Sequence, residues 1–248
     1  INMTMNFMDY TNDACMYMFT ICQSEIMINT INSQRSSLLE NNFCDYSLIN
    51  SFNKNKKVIK VIDILGRVCF KKGFFITPSG KKYSSLKNKD IVYVSLNGKF
   101  DKKLGIPSSE WKFHQDIYLK KEEANAIVHS HSTNATALSV HKKSIPAFHY
   151  MVALAGGNDI KCANYATYGT RKLSVNILKA LKNRKACLIS NHGQIAYDDN
   201  LSKAFELAEE VENLSLQYIT ALKIGRPKIL SNVEMNKVLA KAKNYKRG

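Results

Sequence analysis

Acidic side chains are scarce in this chain: 20 Asp and Glu stand against 36 Lys and Arg in 248 residues, a formal net charge of +16. Glycine (11), proline (4) and tryptophan (1) are also few. No apolar run approaches the roughly 18 residues that a spanning helix needs, so no membrane role is expected. No basic start leads into a clean apolar stretch, because Asp9, Asp13 and Glu25 interrupt the Met-rich beginning, so no secretory signal is expected. No C-x-x-C pair occurs among Cys15, Cys22, Cys44, Cys69, Cys162 and Cys187. Free thiols and a reducing, cytoplasmic location are expected.

The positive charge raises the question of nucleic acid. The lysines, however, come as short pairs spread along the chain, such as Lys56-Lys57, Lys71-Lys72 and Lys142-Lys143. No RNP-like, helix-turn-helix or zinc-knuckle pattern accompanies them. No nucleic-acid partner is expected, and the basic field suits a phosphorylated metabolite better.

At 45% hydrophobic content the chain can bury one full-sized core. Residues 1–55 contain neither Gly nor Pro and show no sustained periodicity. They are expected to form a poorly ordered N-terminal extension without site chemistry, leaving 56–248 as the folded domain. In that domain Gly73–Thr77 reads as a strand closed by the turn Pro78-Ser79-Gly80, and Asp90–Leu96 as a second strand. Asn97-Gly98 is a hairpin-turn dipeptide. A helix is expected from Ser109, with Trp111, His114 and Tyr118 on one stripe and Ser108 or Ser109 as cap. Further helices are expected over 134–140, 173–184, 201–223 and 232–245. In the third of these Leu201, Phe205, Ala208, Val211 and Leu214 recur at helical spacing. Strands interleaved with helices define an α/β protein.

Three histidines carry the first chemical signal. Ile127-Val128-His129-Ser130-His131 reads as a strand end, and side chains two apart on a strand share a face. Ala186–Ser190 is a second apolar strand that stops at Asn191-His192-Gly193 and can deliver a third imidazole. Three neutral imidazoles plus one further ligand hold a catalytic zinc with an exchangeable position. The alternative is surface or hydrogen-bonded histidines.

The second signal is Pro107-Ser108-Ser109-Glu110. Two hydroxyls at a helix start, beside free backbone amides, suit an anion. A carboxylate at that place is out of keeping with a phosphate unless it does chemistry or binds a metal. The alternative is a serine cap with Glu110 favourably placed in the first turn.

The stretches PSSEWKFH (107–114), NAIVHSH (125–131), SIPAFHYMVALAGGNDIKCANYATYGTR (144–171) and ALKNRKACLISNHG (180–193), with the long helix that follows, occur in one order. In these motifs the chain resembles the class II aldolase/adducin family, over roughly residues 57–248. The resemblance implies an α/β domain around a central, mostly antiparallel sheet flanked by helices. It also implies a four-fold homotetramer with sites between subunits. The implied reaction is zinc-dependent cleavage of L-fuculose 1-phosphate, or a similar ketose 1-phosphate, to dihydroxyacetone phosphate and L-lactaldehyde.

By the same resemblance, His129, His131 and His192 are zinc ligands, with Glu110 the fourth ligand at rest and the acid/base in turnover. Tyr150 would act from a neighbouring subunit on the aldehyde oxygen, and Tyr245 would help close the site. Phosphate would sit on Ser79, Gly80, Ser108 and Ser109. Asn134 is expected only to pack behind the ligands. Two places depart from the family pattern. Leu65–Gly73 has no G-N pair where relatives use one to cradle phosphate, so part of that pocket is missing or rebuilt. Ala242 stands where relatives carry an aromatic. Other branches of the family are a sugar-phosphate 4-epimerase, against which Glu110 speaks because aspartate is usual there, and a methylthioribulose-phosphate dehydratase. A non-catalytic, adducin-like module tends to lose the ligands, and all four are present here.

Overall fold

The structure is a computed structural model and describes residues 60–62, 68–70 and 73–244. The expected extension 1–55, Tyr245 and most of the segment 63–72 lie outside the described residues. A ribbon of β1 (Lys60–Ile62) and β2 (Val68–Phe70) begins the fold, antiparallel with Lys60 opposite Phe70. A second antiparallel pair joins β3 (Gly73–Ile76) to β4 (Val92–Ser95). Here alternation decides which side is inward: Phe74, Ile76, Val92 and Val94 are buried, and Phe75 and Tyr93 are not.

The centre is a four-stranded sheet in the order β5 (Ala126–Ser130), β10 (Gly193–Asp198), β9 (Ala186–Ile189), β8 (Cys162–Ala163). Strand β10 runs antiparallel to both β5 and β9, and only β8 runs parallel to its neighbour β9. The sheet is therefore mostly antiparallel, as expected. A two-residue pair, β6 (Ile145–Pro146) with β7 (Asp159–Ile160), lies outside it.

Alternation along these strands builds two cores, one on each face. Val128, Leu188 and Ala196 face α2 (Thr133–Val140) and α4 (Leu201–Ile224), where they meet Leu138, Leu207, Val211 and Leu214. Their strand neighbours Ile127, Cys187, Ile189, Ile195 and Tyr197 face α1 (Trp111–Lys120) and α3 (Arg171–Ala180), packing on Phe113, Ile117, Leu173 and Ile177. Each fully buried aliphatic side chain contributes about 1.5–3 kcal/mol. The stripe on α4 makes its fit to the sheet specific to one face, and α5 (Asn232–Asn244) closes the order, burying Met235 in the same core.

Three local expectations need correction. Asn97-Gly98 does turn, with the Gly98 amide donating to the Ser95 carbonyl and φ of 82° at Gly98, but no strand follows it. β4 finds its partner earlier in the chain instead. Neither Ser108 nor Ser109 caps α1: the cap position is Glu110, and its side chain makes no capping bond because it is used elsewhere. The helix expected over 173–184 spans Arg171–Ala180, started by Thr170, whose hydroxyl accepts from the Leu173 amide at 3.3 Å.

Candidate metal centre

The site forms where β5 ends, the β9–β10 loop turns and α1 begins. His129 sits on the last turn of the pleat in β5, and His131 follows the strand end two residues later, so both project from one side. His192 lies in the loop 190–192 between β9 and β10. That loop is tight: Asn191 takes φ of 55°, and the amides of Asn191 and His192 donate to the carbonyl and hydroxyl oxygens of Ser139. Gly193 then lets β10 approach β5. A Cβ there would lie 2.2 Å from the Ser130 carbonyl oxygen and 3.1 Å from the Cα of His131. Any larger residue would push the two histidine-bearing segments apart.

Glu110 comes in from the start of α1. Its segment is stitched to the T-P-S-G turn, since the Ser108 amide donates to Thr77 and the Ser79 amide to Ile106, both at 2.9 Å. The Ser108 hydroxyl accepts from the Glu110 amide at 3.3 Å. Glu110 is 7% exposed, with its Oε2 lying 2.8 Å from His129 Nε2 and 3.1 Å from His192 Nε2. His131 Nε2 is 3.2 Å from His129 Nε2. One ligand atom from each of Glu110, His129, His131 and His192 lies within 4.8 Å of all the others.

Does this set fit a metal? The second carboxylate oxygen, Oε1 of Glu110, is buried without a hydrogen-bond partner. A buried polar atom left unpaired costs free energy unless something compensates it. Three imidazole nitrogens and one carboxylate oxygen converging on one point form the donor set of a divalent transition-metal site. The titration tendencies agree. Burial pushes the Glu110 carboxyl up, but the imidazoles of His129 and His192 outweigh it and hold the group well below the usual carboxylate range. Burial, with repulsion from His129 and His192, pushes His131 down to about 3, so it keeps its lone pair. Glu110 thus offers an ionised carboxylate and His131 a free lone pair, both in the state a metal requires.

The chain matches the class II aldolase and adducin N-terminal domain over residues 60–219. That is well over half of its length. The chain belongs to the class II aldolase and adducin family. It is 49% identical over 179 residues to an L-fuculose phosphate aldolase of Escherichia coli (strain K12), covering 72% of this chain and 83% of that one. It is 47% identical over 173 residues to a 5-methylthioribulose-1-phosphate/5-deoxyribulose-1-phosphate aldolase of Rhodospirillum rubrum, covering 70% of this chain and 78% of that one. Among solved structures, an L-fuculose 1-phosphate aldolase superposes with a TM-score of 0.69 at 35% identity, covering 89% of this chain and 97% of that one. This class II aldolase chain is accordingly a carbon–carbon lyase.

The remaining residues singled out from the sequence fall in different places. Ser79 and Gly80 are brought against Ser108 by the bridge between Pro78 and Pro107, with φ of 71° at Gly80. Ser109 is exposed, and its carbonyl would lie 3.1 Å from a Cβ at Gly169. Tyr150 opens the 3-10 turn Tyr150–Ala155 and is 54% exposed, its ring tilted against that of His149 rather than joining the four ligands.

Sequence reasoning missed two polar residues beside the site, Gln194, which is buried, and Glu212, which is partly buried. Gln194, 1% exposed, accepts from His129 Nδ1 on its backbone carbonyl and donates from its side chain to Ser132 Oγ and the Ala208 carbonyl. Glu212 accepts from the amides of Asn134 and Ala135 and from the Asn134 side chain. Asn134 therefore does more than pack. The one local hint was the position of Glu212, four residues after buried Ala208 on α4.

Proposed function

We propose that this enzyme is a metal-dependent aldolase that cleaves L-fuculose 1-phosphate to dihydroxyacetone phosphate and L-lactaldehyde, with zinc as the metal. The single observation that carries this is the convergence of Glu110, His129, His131 and His192, joined to the aldolase relatives reported above. In the cleavage, the bond between C3 and C4 of the ketose breaks. The C4 hydroxyl loses its proton as the aldehyde carbonyl forms, and C3 gains a proton to give dihydroxyacetone phosphate.

His129, His131 and His192 would hold the zinc with Glu110 as the fourth ligand at rest. Bound there, the metal would act as a Lewis acid toward the negative charge that develops on the keto oxygen. Glu110, ionised and buried among these histidines, would take up a proton and deliver it to C3. Ser79, Gly80, Ser108 and Ser109 would bind the phosphate, and the pairing of their two segments supports that grouping. The absent G-N pair in Leu65–Gly73 leaves these hydroxyls and amides with more of the task. Tyr150, from a neighbouring subunit of a homotetramer, would orient the oxygen that becomes the aldehyde carbonyl and relay its departing hydroxyl proton, and its exposure leaves it available for that. Tyr245 would help close the site.

A second reading has a specific observation behind it. The relative at 47% identity is named for 5-methylthioribulose 1-phosphate and 5-deoxyribulose 1-phosphate. Those ketoses would yield the same dihydroxyacetone phosphate and differ in the aldehyde. A coupled assay for dihydroxyacetone phosphate across these ketose 1-phosphates separates the two readings. The highest kcat/KM is expected with L-fuculose 1-phosphate. A preference for the deoxyribulose compounds would transfer the assignment, and release from none of them would overturn both.

A further inference from the structure

The helix that follows the metal ligands is not capped by its own sequence. α2 begins at Thr133, directly after His131 and Ser132, and the cap residue Ser132 makes no side-chain bond to the helix amides. The free donors are taken by Glu212 on α4: Oε1 accepts from the Asn134 amide at 2.8 Å and from Asn134 Nδ2 at 2.7 Å, and Oε2 accepts from the Ala135 amide at 2.9 Å. A carboxylate at a helix start meets both orphan amides and the positive end of the helix dipole. Ser132 is occupied in turn. Its hydroxyl accepts from Gln194 Nε2 at 2.8 Å, and the same nitrogen donates to the Ala208 carbonyl at 2.9 Å.

Ala208 and Glu212 are one helical turn apart, so α4 holds the segment just after His131 directly through Glu212 and indirectly through Gln194, which bonds both Ala208 and Ser132. Gln194 also carries the carbonyl that His129 Nδ1 addresses. The two strand-end histidines are thus indexed to one helix on the opposite face of the sheet from Glu110. We infer that Glu212 is a positioning residue of the metal centre: by capping α2 it fixes the segment that carries His131. This rests on the reading of Glu110 and the three histidines as metal ligands.

The test uses the full-length chain and Co2+ as the probe, whose visible spectrum reports ligand geometry. Loss of a group that orients metal ligands typically weakens binding by roughly 10–100-fold. Glu212→Gln keeps the size but presents an NH2 to an amide donor, and it is expected to raise the Kd for Co2+ within that range and alter the bound spectrum. Asn134→Ala removes only the side-chain bond and is expected to show a smaller loss in the same direction. Leu214→Ala, a core truncation elsewhere on α4, is expected to lower thermal stability with Kd and spectrum unchanged. Wild-type Kd and spectrum in Glu212→Gln, or an unfolded Glu212→Gln beside an unchanged Asn134→Ala, would overturn the inference. Wild-type protein that binds no Co2+ would remove the metal reading beneath it.

Discussion

The Nδ1 of His129 lies 2.8 Å from the backbone carbonyl oxygen of Gln194. A carbonyl only accepts, so Nδ1 carries the proton and Nε2 keeps its lone pair. That lone pair faces Glu110 Oε2 at 2.8 Å, and the same oxygen lies 3.1 Å from His192 Nε2. An ionised carboxylate repels two neutral imidazole lone pairs at such distances unless a cation or a proton stands between them. A metal satisfies every one of these atoms, whereas protons satisfy them only by excluding the metal.

Purified protein is therefore expected to retain about one divalent metal ion per chain, as a single four-ligand site requires. His129→Ala removes both the ligand and its link to Gln194 and is expected to lose the ion while staying folded. Elemental analysis of the two proteins checks this. Folded wild type that takes up no divalent metal would contradict it.

Glu110→Gln preserves shape but removes the charge and the proton carrier. Aldol cleavage is expected to fall by roughly 10²–10⁴-fold, the usual range for a general acid/base. Circular dichroism should show an unchanged fold, since Phe113 and Ile117 rather than Glu110 anchor α1. Full activity in this variant would remove Glu110 from the chemistry.

Gly193→Ala places a Cβ 2.2 Å from the Ser130 carbonyl, inside any tolerable contact. The strands must separate locally, and overpacking of this kind costs about 1–3 kcal/mol. Urea unfolding is expected to show that loss, together with weaker metal retention, because His131 lies against the same Cβ. A variant as stable as wild type would show that the close approach is not needed.

How much of this was legible before the structure follows from the range of each interaction. His129 and His131 could be paired because a strand repeats every two residues, and α4 could be drawn because Phe205, Ala208, Val211 and Leu214 repeat at helical spacing. Both are local signals. Asn97-Gly98 was equally local but misleading: the dipeptide sets a turn and does not supply a strand to follow it. The grip of Glu212 on Asn134 and Ala135 joins residues far apart in the chain, and the position of Glu212 one turn after buried Ala208 does not name its partners. The parallel pairing of β8 with β9 was hidden for the same reason, since a two-residue strand has no periodicity to read.

A pH dependence follows from His114, whose ring stacks on Phe113 with centroids 4.8 Å apart. Burial, with repulsion from His129, pushes its pKa from 6.5 down to about 3. Between those values the unfolded chain binds a proton that the folded chain refuses. Its contribution to stability is thus fully present above about 6.5 and is lost as pH falls toward about 3. Urea midpoints of the metal-free protein across this window are expected to fall with pH, and less steeply in His114→Phe. Equal slopes would contradict the assignment.

The most direct test of the account is release of dihydroxyacetone phosphate from L-fuculose 1-phosphate by the wild-type protein, followed before chelation, after chelation and after zinc is restored. The expected result is cleavage that stops on chelation and returns with zinc. Cleavage that persists in protein shown to be free of metal would contradict the role given to Glu110, His129, His131 and His192.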